Sequence, residues 1–166
     1  MANRMQKQLG KLNVLPAKLR LKLTTLFIRK MIPFVGTAKI HFESVTPEKV
    51  VAVIPNQKRN QNHIQSVHAA ATALLAETSS GICFGLNLPD DKLPLLKSMH
   101  VQYTKRTQGD LTATTTLTDP AEIQRLNTDE KGDITFDVEI RDETSELTNI
   151  TAMTWAWIPK KEAKTS

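Results

Sequence analysis

A single cysteine, Cys83, stands in the 166 residues. No internal disulfide can form, and one thiol cannot build a cysteine cluster around zinc. Cys83 lies late in an apolar stretch and reads as a small core residue rather than a nucleophile. No uninterrupted apolar run reaches the length of a membrane span. Leu19 to Phe34 is apolar, but Arg20, Lys22, Arg29 and Lys30 interrupt it. No small-residue cleavage site follows, so no secretory signal is expected and the cytoplasm is the default location. A glycine-rich phosphate loop is missing, which argues against nucleotide hydrolysis. Ser66 lacks the strained elbow sequence of a serine hydrolase. His41, His63 and His100 are spread without cluster spacing, so they read as structural or exposed, and no metal site is expected. No internal repeat is present.

Acidic side chains are absent from residues 1–42, which hold nine basic ones; Glu43 is the first carboxylate. The remainder carries 13 basic and 17 acidic residues, so the overall charge of +5 belongs to the N-terminal segment alone. A fold basic throughout, as in many nucleic-acid binders, is excluded, and no nucleic-acid partner is expected. A basic arm alone could still touch an anionic ligand, weakly a membrane surface, or nucleic acid. The simpler reading is a solvated helix face. Length and an apolar content of 40 % fit one globular domain.

Along the chain, Leu15, Leu19, Leu23, Leu26 and Phe27 recur at spacings of three and four, predicting a helix over Leu12 to Met31 that Pro33 ends. Residues 1–35 read as a basic helical extension. Thr37 to Ser44 alternates, with Ala38, Ile40 and Phe42 on one face, and Val50 to Ile54 is a continuous apolar strand. A polar loop, NQKRNQNHIQS, follows Pro55. A long apolar helix runs from about Ser66 or Val67 to about Phe84, and Asn87, Pro89, Asp90 and Asp91 form a linker. Met99 to Tyr103 and Leu111 to Leu117 alternate around a Gly109-Asp110 turn and read as a hairpin. Asp119-Pro120 starts a short helix, with Asp as cap and Pro at the first position. Ile134 to Ile140 and Leu147 to Ile158 complete the strands, the last placing Met153, Trp155 and Trp157 on one face. The main domain spans residues 36–159, with a polar tail over 160–166. The fold class is α+β: an antiparallel sheet curled around one long apolar helix, which must be covered nearly all round.

The stretch NHIQSVHAAATALLAE, Asn62 to Glu77, carries the most chemistry. A polar loop with Asn62, His63 and His68 leads into small and apolar residues, and Glu77 is the lone acid among them. A solitary carboxylate there is costly unless it is used or paired. Asn62, then His68, then Glu77 nine residues later on a buried helix, followed by an antiparallel sheet, resembles the hotdog fold. Within it the chain is similar to the phenylacetate-type acyl-CoA thioesterases and a related uncharacterised thioesterase-like family. YTKRTQGDLTA, Tyr103 to Ala113, resembles the same family's strand-turn-strand. The likeness spans roughly Thr37 to Ile158 and implies acyl-thioester hydrolysis. Coenzyme A then enters as part of the substrate, and no separate cofactor is implied. Two features depart from the family pattern: Ala69 and Ala70 replace the usual two glycines, and Glu77 replaces the commoner Asp.

The chemistry agrees. Thioester hydrolysis needs donors for a developing oxyanion and a group that activates water or attacks the carbonyl. A helix N-terminus offers unpaired N–H groups near His68, Ala69 and Ala70. Glu77 suits the base or the nucleophile, its pKa raised by apolar surroundings. Nine residues of helix span about 13 Å, so one carbonyl cannot touch both His68 and Glu77. An antiparallel pairing of two copies resolves this: Asn62, His68 and Ala69 of one chain with Glu77 of the other. A homodimer is expected, and further pairing into a tetramer stays open. Lys58, Arg59, Lys105 and Arg106 are candidates for the phosphates of coenzyme A, with solvated surface charge as the alternative. For the site, the alternatives are a pairing role for Glu77, a capping role for His68 and a turn role for Asn62. For function, they are an acyl-thioester dehydratase or hydratase, and a non-catalytic acyl binder.

Overall fold

A computed structural model describes residues 2–160. The N-terminal segment forms α1 (Arg4–Gly10), a 3-10 turn over Lys11–Val14, α2 (Ala17–Met31) and α3 (Pro33–Ala38). Two strands follow, β1 (His41–Val45) and β2 (Lys49–Ile54), then the central helix α4 (Ala69–Asn87). After it come β3 (Lys92–Tyr103), β4 (Leu111–Thr116), α5 (Pro120–Thr128), β5 (Gly132–Asp142) and β6 (Leu147–Pro159). One six-stranded sheet has the order β1-β2-β4-β5-β6-β3, antiparallel throughout. It curls around α4, which packs against β2 to β6. This is the hotdog arrangement expected from the sequence.

Alternation sets the inner face of the sheet. Ile134, Phe136, Val138 and Ile140 of β5 are buried, as are Thr151, Met153, Trp155 and Trp157 of β6. Small residues let α4 lie close to them. A Cβ on Gly81 would meet the Trp155 ring at 2.7 Å, and the Trp155 Nε1–H donates to Ser80 Oγ at 3.0 Å. Ser79 shares a 2.8 Å hydrogen bond with Thr115 of β4. Cys83 is fully buried, and burial, with Glu48 adding to it, pushes its thiol up to about 12. It stays protonated at neutral pH, inert as a nucleophile. By length and composition α4 could cross a membrane, yet 56 % of its most apolar window is buried inside the fold.

Several sequence expectations change. The helix expected over Leu12 to Met31 is divided: Pro16 precedes α2, and α1 forms upstream, where Asn3 Oδ1 accepts the Gln6 N–H at 2.9 Å. Pro33 both ends α2 and starts α3. Thr37 and Ala38 are therefore helical, and Lys39, in the left-handed region at φ 58°, turns the chain into β1. The central helix begins at Ala69 and ends at Asn87, about three residues later at each end than expected. The hairpin is wrong. Gly109 does turn the chain at φ 65°, but β3 pairs with β6 and β4 lies between β2 and β5. Apolar alternation on both sides of a turn marks two strands, not their partnership; here the partners come from farther along the chain.

The N-terminal segment joins the same core: Met5, Leu9 and Phe27 pack against it, and Ile28 is part of it. Of the polar tail expected over 160–166, all but Lys160 lies outside the described residues.

Candidate functional site

Burial along α4 is uneven. Leu75, Ala76, Thr78, Ser79, Ser80, Ile82 and Cys83 face the sheet and are buried. Ala69 and Ala70 are exposed, while Ala73, Leu74, Glu77, Gly81 and Gly85 are half-buried. At spacings of three and four these form one stripe, so the sheet leaves one face of α4 open. Glu77 lies midway along it.

The Glu77 carboxylate makes no hydrogen bond and no ion pair with any described residue. Desolvation raises its pKa. It lines a cavity of about 560 Å³ with Met5, Ile32, Ile82, Leu88 and Trp155. That size is in the range of small-molecule sites. Thr78, beside it in the same wall, is buried and its hydroxyl oxygen finds no partner among the described residues. Lys92 also lines the cavity, but its ammonium donates to the carbonyls of Leu126 and Asp129 at 2.6 and 2.8 Å, closing the end of α5. It does not neutralise Glu77.

A residue that sequence reasoning missed builds one wall. The Asn3 amide donates to the carbonyls of Gly85, Leu86 and Leu88 at 2.8, 2.9 and 2.7 Å. The Arg4 N–H donates to both oxygens of Asp90, each at 2.9 Å. These bonds dock α1 against the C-terminal end of α4, beside the cavity. No local pattern announces a bond across more than 80 residues.

At the other end of α4 the loop positions the predicted residues. Buried Asn60 donates to the carbonyls of Ala38 and Pro55 at 2.8 and 2.9 Å and accepts the His68 N–H at 2.7 Å. Asn62 Oδ1 accepts the N–H groups of Ile64 and Ser66 at 3.0 and 3.1 Å, a turn role. Its Nδ2 has no partner among the described residues. His68 caps the helix: Nδ1 accepts the Ala70 N–H at 3.0 Å. Of the three amides expected to be open, those of His68 and Ala70 are therefore taken. The N–H groups of Ala69 and Ala71 have no partner among the described residues. Tyr103, also missed, donates its hydroxyl to the Ala69 carbonyl at 2.8 Å and ties β3 to this end.

The basic candidates divide as well. Lys105 is paired with Glu146 at 2.9 Å. Arg106 donates to the Ile64 carbonyl at 3.1 Å, while Lys58 and Arg59 sit exposed on a 3-10 turn. Among the described residues no group of three His, Cys, Asp or Glu side chains could hold a metal ion.

The model of a family described as a domain of unknown function, DUF4442, matches residues 21–158. A Pseudomonas aeruginosa structure described as a protein of unknown function and probable thioesterase is 26 % identical, with a TM-score of 0.74, covering 87 % of this chain and 97 % of its own. Thioesterase HI1161 of Haemophilus influenzae, at 18 % identity and a TM-score of 0.63, covers 76 % and 82 %. A mutant thioesterase from Staphylococcus aureus, at 17 % identity and a TM-score of 0.65, covers 76 % and 99 %. No curated protein matches the chain.

Proposed function

The chain belongs to the DUF4442 family, and from that premise we propose that it hydrolyses acyl thioesters at a site shared by two copies. The observation that carries this reading is the unpartnered Glu77 carboxylate on the open stripe of α4, beside a largely apolar cavity. The naming of its structural neighbours as thioesterases supports it.

Its own residues supply the chemistry. Glu77, its basicity raised by burial, takes a proton from water or attacks the thioester carbon directly. The Ala69 N–H, at the positive end of α4, receives the oxyanion, and the free Nδ2 of Asn62 holds the carbonyl oxygen. About 12 Å of helix separates Ala69 from Glu77, so the two must come from different copies. The supports for pairing are the 12-residue edge strand β3, whose outer edge has no partner among the described residues, and its exposed Leu95, Met99 and Tyr103. Two such edges pairing about a two-fold axis would cover the open stripes of both central helices. The carrier is coenzyme A, with Lys58 and Arg59 as the exposed cations to meet its phosphates; Arg106 is bonded to the Ile64 carbonyl and Lys105 is held by Glu146. Hydratase chemistry fits less well, because His68 spends its Nδ1 on the helix cap.

The test is turnover of a panel of acyl-CoAs, read as free thiol. Glu77→Gln should lower kcat/KM by roughly 10²–10⁴-fold and leave the dimer intact in sedimentation. Full activity in that variant, or in a monomer, would overturn the reading.

A further inference from the structure

Two leucines of the α2 stripe, Leu19 and Leu26, face away from the protein. The side of the helix that meets the core carries Thr24, Thr25 and Ile28, all buried. Its rotation is fixed, because Thr25 Oγ1 accepts the Phe42 N–H of β1 at 3.1 Å, and Arg29 donates to the carbonyls of Lys39 and Ile40 at 2.7 and 2.8 Å. Leu19 and Leu26 share the opposite side, with Leu23 half-buried between them at spacings of four and three. Leu19 is 44 % and Leu26 50 % exposed. Before and after the helix, Val14 and Phe34 stand 86 % and 63 % exposed. Lys18, Lys22 and Lys30 are exposed around the stripe and form no ion pair among the described residues.

We propose that this outward face of α2 seats the protein on an anionic lipid bilayer. Leucines backed by lysines suit the boundary between acyl chains and headgroups, where the lysine stems lie along apolar surface and their ammonium groups reach the phosphates. Residues 1–42 hold no acid to oppose that attraction. The first carboxylate of the chain, Glu43, lines a different crevice, between α2 and β1, together with Arg20. A second copy is a poor occupant, since the same face on both partners sets lysines against lysines. Nucleic acid would use the lysines and leave the leucines in water. At about 22 Å, α2 is long enough to lie flat on a surface. The proposal is independent of the thioesterase reading.

Co-sedimentation of the full chain with vesicles tests it. Binding is expected to phosphatidylcholine mixed with phosphatidylglycerol, at least about tenfold tighter than to phosphatidylcholine alone, and weakened by salt. Leu19→Ser with Leu26→Ser should lower that binding by about tenfold or more. Neutralising the three lysines as Lys18→Gln, Lys22→Gln and Lys30→Gln should remove the preference for anionic vesicles. Both variants change exposed positions and should keep the wild-type urea midpoint. No binding to the anionic vesicles would overturn the proposal, as would undiminished binding by the leucine variant. So would loss of self-association in that variant, which would make a second copy the occupant.

Discussion

At its C-terminal end α4 is closed by a side chain from the far end of the chain, whereas at its N-terminal end the only side chain that takes one of its amides is its own cap, His68, with Tyr103 bonded to the Ala69 carbonyl. Asn3 takes three carbonyls around the C-terminal end, and Asp90 holds the neighbouring Arg4 amide. The N-terminal end is exposed, capped by His68, with the Ala69 and Ala71 amides free among the described residues. One end is finished by the fold; the other keeps unused donors pointing outward. Such donors are tolerable in water and useful to a ligand. On the proposed reading, chemistry belongs to the start of α4 and to its middle, and the Asn3 contacts at its close serve stability.

The sharpest way to break this division is to exchange the effects of its two sides. Glu77→Gln should give the largest change, the loss of roughly 10²–10⁴ in turnover with secondary structure intact by circular dichroism. Asn3→Ala should come next and act on stability. It strands three carbonyls and the Gln6 N–H that Asn3 Oδ1 accepts. A loss of about 2–3 kcal/mol in urea unfolding is expected, with easier proteolysis near residue 10. If Asn3→Ala instead abolished turnover at unchanged stability, the closed end would belong to the site.

His68→Ala sharpens the same contrast at the open end. Losing the cap should cost about 1 kcal/mol. His68→Asn keeps an acceptor for the Ala70 N–H and should restore the stability. If turnover returns with it, His68 acts by positioning the helix start. If stability returns without turnover, the imidazole touches the substrate.

What the sequence revealed follows the range of each interaction. The Asp119 cap of α5, the Gly109 turn and the alternation in β5 are local, and each stands where the pattern put it. The central helix was legible because small and apolar residues continue for five turns. The β3 partner was not, because alternation does not say which strand lies alongside. Neither was the orientation of α2. Its leucines mark a helical period, but two threonines and an isoleucine won the core side through one hydrogen bond to β1 and close packing. At the site, the residue types of Asn62, His68 and Glu77 could be read. The cap and the turn stood there only as alternatives, and the geometry of the loop decides that they take the Ala70 amide and the Asn62 side-chain oxygen.

The smallest expected effect concerns Glu77 and stability. Burial raises its pKa, so the fold favours the protonated carboxyl relative to the unfolded chain. Its contribution to stability is therefore fully present below the unfolded carboxylate range and is lost as pH rises through the higher folded value. Once ionised, the carboxylate has no ion-pair partner among the described residues to offset its burial. Glu77→Gln should consequently be slightly more stable than the wild type at neutral pH, by less than about 1 kcal/mol because the groove is open to water on one side. The difference should shrink in acid, where both side chains are neutral. Urea midpoints at neutral and acidic pH measure it, and the acid limb of the pH–rate profile should lie above that of an ordinary glutamate. A variant less stable than the wild type at neutral pH would mean that the carboxylate already holds a partner. The amide end of a second central helix is the group whose approach could supply one, and the deficit should then vanish on dilution below the dimer's dissociation constant.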